Sequence, residues 1–194
     1  MALPSNEEWA GRQRMIELAE RCLQLTDTDM LSLLQKMRQL PEIPMHGPEH
    51  HGLVAAIILT AYRNSGGELP ADLVVEGTLR ANSIPGRSCG VLGVCGAAVG
   101  VGAAFALLLN SSPVKADEKK IVQTAVWDVT GQIVELGAPR CCQRECVLAL
   151  KTAARLSERF LPIKLTAEKQ FECQQWSECQ ECIGERCLLF PQSA

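Results

Sequence analysis

The sequence contains no long basic run, and its formal net charge is only -3 over 194 residues. That excludes the electrostatic footprint of a nucleic-acid-binding surface. Aromatic residues are scarce, at 4% against 47% for hydrophobic residues as a whole. A composition this poor in rings and rich in Ala, Leu, Val and Gly favours helices over a β-sandwich. No segment of weight alternates with strand period, and no internal repeat appears. The first residues, MALPSNEEWAGRQRM, hold no apolar h-region and no small-residue cleavage site. They do not read as a secretory leader, so the expected compartment is the cytoplasm. Ten cysteines in a reducing compartment point to metal binding or redox work rather than to disulfides.

The expected fold class is all-α. Ser5 or Asn6 should cap an amphipathic helix to about Leu25, with Trp9, Met15, Leu18 and Cys22 turned inward. Asp27 or Thr28 should cap a second helix, which the prolines at 41 and 44 end. Pro48 sits at the start of a third, where proline is welcome. Its body, Leu53 to Tyr62, is almost wholly apolar and therefore buried. Further helices are expected over about 71–81, 118–136 and 140–160. Residues 1–165 then form a helical domain, divided into an N-terminal helical pair (1–40) and a core (41–165). Residues 166–194 form a polar, cysteine-rich tail.

The stretch between Pro85 and Pro113 is expected to be the axis of the bundle: a turn with Cys89, then one long Gly/Ala-rich helix whose first turns hold Cys95. From Val91 to Leu109 it carries no charged side chain, a length that invites a membrane reading. Three features oppose it. Five residues between Gly90 and Gly102 are glycine; the flanks lack an aromatic belt or a positive cluster; and an all-round apolar helix is equally expected inside a globular domain. No membrane is expected as a partner. Glycines at 93, 96 and 100 let a neighbouring backbone, or an inorganic cluster, come close.

Three constellations could carry chemistry. The first is Cys89, Cys95, Cys141, Cys142 and Cys146, at loop-to-helix junctions where backbone amides stabilise thiolates. Thiolates, close donors and a dry pocket are what an iron–sulfur cluster needs. Burial of free cysteine as an ordinary apolar residue is the plainer alternative. The second is His46, Glu49, His50 and His51, which gathers all three histidines of the chain at a helix start. There a neutral imidazole could act as base, or His46 could join a metal site; capping and packing are the plainer roles. The third is Cys173-x5-Cys179-x2-Cys182-x4-Cys187, a metal pattern that suits zinc or a [4Fe–4S] cluster. Trp176 is positioned to cover it.

HGPEHH, CGVLGVCGAAVGVGAAFALLL and PRCCQREC together resemble a family of small helical proteins known as a domain of unknown function, over about His46 to Cys187. The tail motif of that family is similar to ECIGERC here, with thiols at Cys173, Cys182 and Cys187. From Cys95 to Ala153 the pattern also resembles the α-domain of iron–sulfur L-serine dehydratases and L-cysteine desulfidases. That likeness implies a [4Fe–4S] cluster on three cysteines with one iron open to substrate, with Cys95 and Cys141 or Cys142 as ligands. Where the pattern has a middle cysteine before Asp128, this chain has Trp127, so a third ligand would come from Cys89, the other vicinal thiol or Cys146.

The expected function is accordingly an iron–sulfur-cluster-binding protein with Cys89, Cys95, Cys141 and Cys142 at the cluster and a second metal at the tail. It would act as a lyase or sulfur-handling enzyme on a small amino acid or thiol, with Glu49, His50 and His51 as the acid–base residues. The competing expectation is a non-catalytic zinc or iron–sulfur module docked on a larger partner enzyme. A redox protein using Cys141 and Cys142 is a third, disfavoured by the strain of a vicinal disulfide. The sparse aromatic core favours a helical homodimer.

Overall fold

The apolar run after Pro48 forms the middle of the molecule. In this computed structural model, which describes the backbone of residues 6–192 and the side chains of 10–192, every residue from Glu49 to Tyr62 is buried. Among the described residues, eight α-helices run in the order α1 (Asn6–Leu23), α2 (Met30–Met37), α3 (Glu49–Asn64), α4 (Ala71–Ala81), α5 (Ser88–Val91), α6 (Gly96–Leu108), α7 (Ala116–Leu136) and α8 (Cys142–Phe160). No strand occurs among the described residues, and the fold is all-α. The cap expected at Ser5 and the burial expected for Trp9 lie outside the described residues, and α1 is helical from Asn6.

Helix α3 packs against α1, α2, α4, α6 and α8, so it shares the centre with α6, which touches α3, α4, α7 and α8. The small residues of α6 make this closeness feasible. A Cβ at Gly100 would stand 2.7 Å from the His51 carbonyl oxygen and 2.8 Å from Val54 Cβ. One at Gly102 would meet Val126 of α7 at 2.6 Å. These glycines therefore serve helix-to-helix approach. Leu53, Ile57, Ile58, Leu59 and Phe105 are completely buried, and each such side chain contributes about 1.5–3 kcal/mol of transfer free energy. Cys22 belongs to this core: it is fully buried, and burial pushes its thiol up to about 12, against a lowering contact from Thr60.

The turn expected at Cys89 contains the short α5, and the long helix after it begins at Gly96, so Cys95 caps it and does not lie in its first turns. Gly93 adopts φ +68°, a left-handed conformation that ends α5, and the chain extends through Cys95 (φ -76°, ψ 129°) before α6 begins. Among the described residues no helix is long and apolar enough to cross a membrane. The second helix is capped one or two residues later than expected, by Asp29, whose Oδ1 accepts from Ser32 N at 2.9 Å.

The segment after α8 returns along the bundle to α2. Met30 N donates to Thr166 O at 2.9 Å, and Asp29 Oδ2 accepts from Glu168 N at 2.7 Å. Ser157 Oγ accepts from the buried Leu165 N at 2.8 Å. The tail then folds back on itself through Cys173 N to Leu189 O, 2.7 Å, and seats Leu189 in the core.

Candidate metal centres

The starts of α3, α6 and α8 meet at one end of the bundle, with α5 beside them. Between them lies a cavity of about 330 Å³ walled by His51, Cys89, Cys95, Gly96, Cys142 and Glu145. The volume falls at the lower end of the range for small-molecule sites. Each wall residue has a local cause. Ser88 is buried and its hydroxyl donates to Pro85 O at 2.6 Å. Its carbonyl receives the Leu92 and Val94 amides. This holds the turn that presents Cys89. Arg87, just before it, sits at φ 71° in the left-handed region, where a side chain is disfavoured. Cys95 is the extended residue that caps α6, and Cys142 the first helical residue of α8.

Glu145 anchors the inner wall. It is 5% exposed, its Oε1 accepts from Cys141 N at 3.2 Å, and its Oε2 accepts the Cys95 thiol at 3.3 Å. Burial, with the neighbouring Glu145 carboxylate adding to it, pushes the Cys95 thiol up to about 12. Burial also raises Cys142. A bound cation would invert this, because a metal takes thiolates and releases their protons. Arg87 and Arg140 also border the cavity and give it a cationic edge.

The histidines separate into different roles. His50 is 1% exposed; its Nδ1 faces Gly47 O at 3.2 Å, and its Nε2 takes a hydrogen bond from Arg38. Burial and then the Arg38 guanidinium depress it to about 3, so it is neutral with both ring nitrogens engaged. His51 lies under Gly96, where a Cβ would stand 1.9 Å from its ring. Its buried Nδ1 has no hydrogen-bond partner, and burial lowers its pKa against opposing contributions from the Ile84 backbone and Glu49. Glu49 is not on the cavity wall: its Oε1 pairs with Arg14 Nη1 of α1 at 3.1 Å.

Cys141 faces the other way. With Cys173, Cys179, Cys182 and Cys187 it lines a second, mostly apolar cavity of about 20 Å³ under the tail, little more than the space of one water. Trp176 and Phe190 stack edge to face at 5.2 Å in its wall. Burial pushes Cys141 up to about 11. Thus the structure brings Cys89, Cys95 and Cys142 to one chamber and Cys141 with the tail thiols to another. Cys146, one turn deeper, is fully buried with its thiol 3.9 Å from His50 O. Trp127 is 71% exposed on α7, bordering neither chamber.

His46 lines both chambers. Its Nε2 lies 3.6 Å from Cys179 Sγ. His46, Cys179 and Glu181 are the trio among the described residues whose ligand atoms all lie within 4.8 Å of one another. A single ion with metal–sulfur bonds of about 2.3 Å spans no more than ~4.6 Å between ligands. The thiols of neither chamber form such a trio among themselves.

A family model described as a family of unknown function (DUF5714) matches residues 18–190. The chain belongs to that family. The match covers both chambers and every helix but the start of α1, and it brings no activity to the DUF5714 fold. Neither a curated protein nor a solved structure matches the chain.

Several site residues of this DUF5714 member gave no sequence signal. Arg38 joins Pro44 O at 3.3 Å, His50 and Gln175 Oε1, a link across 137 positions that spacing cannot reveal. Glu145 had one available cue, its place four residues beyond Cys141 in a helix's first turn. Gln143 and Arg144, both buried, read in the sequence as an ordinary polar turn.

Proposed function

We propose that this chain is an iron–sulfur-cluster-binding protein that holds its cluster in the larger chamber through Cys89, Cys95 and Cys142, with one iron left to a small amino acid or thiol. The observation that carries the reading is the convergence of three thiols from α5, the α6 cap and the first turn of α8 on one cavity. A cluster held by three protein ligands supplies a Lewis-acidic iron for an OH or SH group. Arg87 and Arg140 would draw a carboxylate to the rim, and Glu145 would hold the proton that Cys95 gives up. His51, whose unpaired Nδ1 is buried beside the chamber, would move the substrate proton; His50 would keep the first turn of α3 in place.

Anaerobic reconstitution of the full chain with iron and sulfide tests this. Bound iron with equal labile sulfide is expected, lost in Cys95→Ala and in Cys142→Ala. His51→Ala should keep the iron and lose turnover of small hydroxy- or thiol-amino acids. Iron content unchanged by both cysteine substitutions refutes the site.

A second reading is a non-catalytic module docked on a larger enzyme. It is favoured by Val91 and Leu92, 69% and 62% exposed beside the chamber mouth. On that reading Leu92→Asp would abolish co-purification of the partner while the iron stays.

A further inference from the structure

The second chamber, beneath the tail, is walled by five thiols, and one of them comes from the main bundle. Cys173, Cys179, Cys182 and Cys187 belong to the last thirty residues, whereas Cys141 caps α8. The tail contains little regular structure, one 3-10 turn at Gly184–Arg186, and its thiols are nonetheless gathered against a single point of the bundle. Cys179 Sγ already has side-chain neighbours in His46 Nε2 at 3.6 Å and Glu181 Oε2 at 4.0 Å. The other four thiols have none among the described residues.

An independent observation concerns hydrogen-bond donors. Gln143 and Arg144 line this chamber at 5% and 2% exposure, and Gln143 Nε2 and Arg144 Nε have no acceptor. Buried donors are almost always paired. Here two of them, from adjacent residues, border a thiol-lined space and have no protein oxygen to bond. Sulfur carrying negative charge is the acceptor such donors fit, and hydrogen bonds of this kind to metal-bound sulfur are a general feature of thiolate sites. The charge balance agrees. Four thiolates around a divalent ion or a cluster leave net negative charge, and the buried Arg144 guanidinium lies beside Cys141, with Arg38 near Cys141 and Cys173.

We infer that Cys141, Cys173, Cys182 and Cys187 hold a second metal centre, separate from the larger chamber, with Gln143 and Arg144 as hydrogen-bond donors to its sulfurs. The occupant is thiophilic: an iron–sulfur cluster, or a zinc ion that would draw the four thiolates closer than they stand here, where no three of them lie within 4.8 Å of one another. Binding transfers the four thiol protons to solvent and forms four metal–sulfur bonds. The centre ties the tail to the first turn of α8, so its ligands are shared between two parts of the chain far apart in sequence.

The full chain, purified and reconstituted anaerobically, is assayed for zinc, iron and labile sulfide, with helical content checked by circular dichroism. Cys141→Ser and Cys187→Ser should each remove one and the same metal population. Cys142→Ser should spare it and remove the other. Zinc lost without sulfide identifies a mononuclear site; iron lost with equal sulfide identifies a cluster; both uphold the centre. Should Cys141→Ser fail to fold, Cys187→Ser and Cys173→Ser carry the same comparison. The inference is overturned if Cys141→Ser retains wild-type metal, or if it depletes the population that Cys142→Ser removes. An empty larger chamber with an occupied tail centre would sink the proposed function and leave this inference standing.

Discussion

Placing alanine at position 96 tests the geometry of the larger chamber more directly than removal of a ligand. A Cβ there would stand 1.9, 2.2 and 2.3 Å from three atoms of the His51 imidazole. No real contact is that short, so the His51 ring must shift from its place between α6 and the cavity it borders. Overpacking of this kind costs about 1–3 kcal/mol. Replacing a helical glycine by alanine returns up to about 1 kcal/mol through propensity, and less at the first position of a helix. The net expectation is a loss of roughly 1–2 kcal/mol. Gly131, exposed on α7 with open space around its Cβ direction, supplies the control. Gly131→Ala should raise stability by about 0.5–1 kcal/mol.

The two variants therefore differ in sign. Their separation of roughly 2 kcal/mol corresponds to at least ~4 °C in Tm for a chain of this size. Urea unfolding followed by far-ultraviolet circular dichroism, with all proteins in the same metal state, measures both. The cause can be isolated by adding His51→Ala to Gly96→Ala. If the ring is what the new methyl meets, the double variant should recover at least about 1 kcal/mol relative to the sum of the single ones. Gly96→Ala as stable as Gly131→Ala, or a strictly additive double variant, would refute the placement of His51 beneath the start of α6.

Asp29→Asn should flatten the acid limb of the stability curve. Burial raises the Asp29 carboxyl, but the amides of Glu168, Ser32 and Lys169 more than offset it, and its folded pKa lies below the ordinary value. The stability it contributes is present above the unfolded value near 3.9 and lost as pH falls through the lower folded value, so urea midpoints at pH 7 and below pH 4 should converge only in the variant; parallel curves would refute the coupling. Ser157→Ala leaves the Leu165 amide buried without an acceptor and should cost about 1–3 kcal/mol; a cost under half a kcal/mol by urea unfolding would show that water reaches that amide. Arg87→Gly relieves a left-handed residue at φ 71° and should raise stability by up to about 1 kcal/mol, whereas a clear loss in the same assay would mean that the side chain holds the turn.

The helices with one distinct apolar face or a sharp boundary were legible. Pro70 and the Asn82 end delimit α4 over the expected residues, and the unbroken run after Pro48 becomes the buried middle of α3. The turn at Cys89 and the long helix after it were legible, but a sequence of Gly, Ala and Val has no periodicity with which to mark where that helix begins, which is one residue past Cys95. The same lack of pattern hid what α6 touches, and its glycines proved to fit His51, Val54 and Val126. Glu49 looked like a partner for the adjacent histidines. On a helix, though, neighbours in sequence point about a third of a turn apart, and its side chain runs to Arg14 on α1 instead.

The motif PRCCQREC shows why spacing alone could not assign its thiols. Cys141 is the extended cap of α8, at φ -143° and ψ 98°, while Cys142 is already helical. A change from extended to helical backbone between consecutive residues turns their Cβ vectors to different sides of the chain. One thiol therefore enters the tail chamber and the next the larger chamber, although a single peptide bond joins them. Cys146 shares the helical face of Cys142 by its four-residue offset, but that face runs inward, and one turn on it has left the chamber for the core. Three cysteines within six residues thus occupy three environments. The first turn of α8 is the wall between two thiol-lined spaces, and any change that rotates it moves ligands in both.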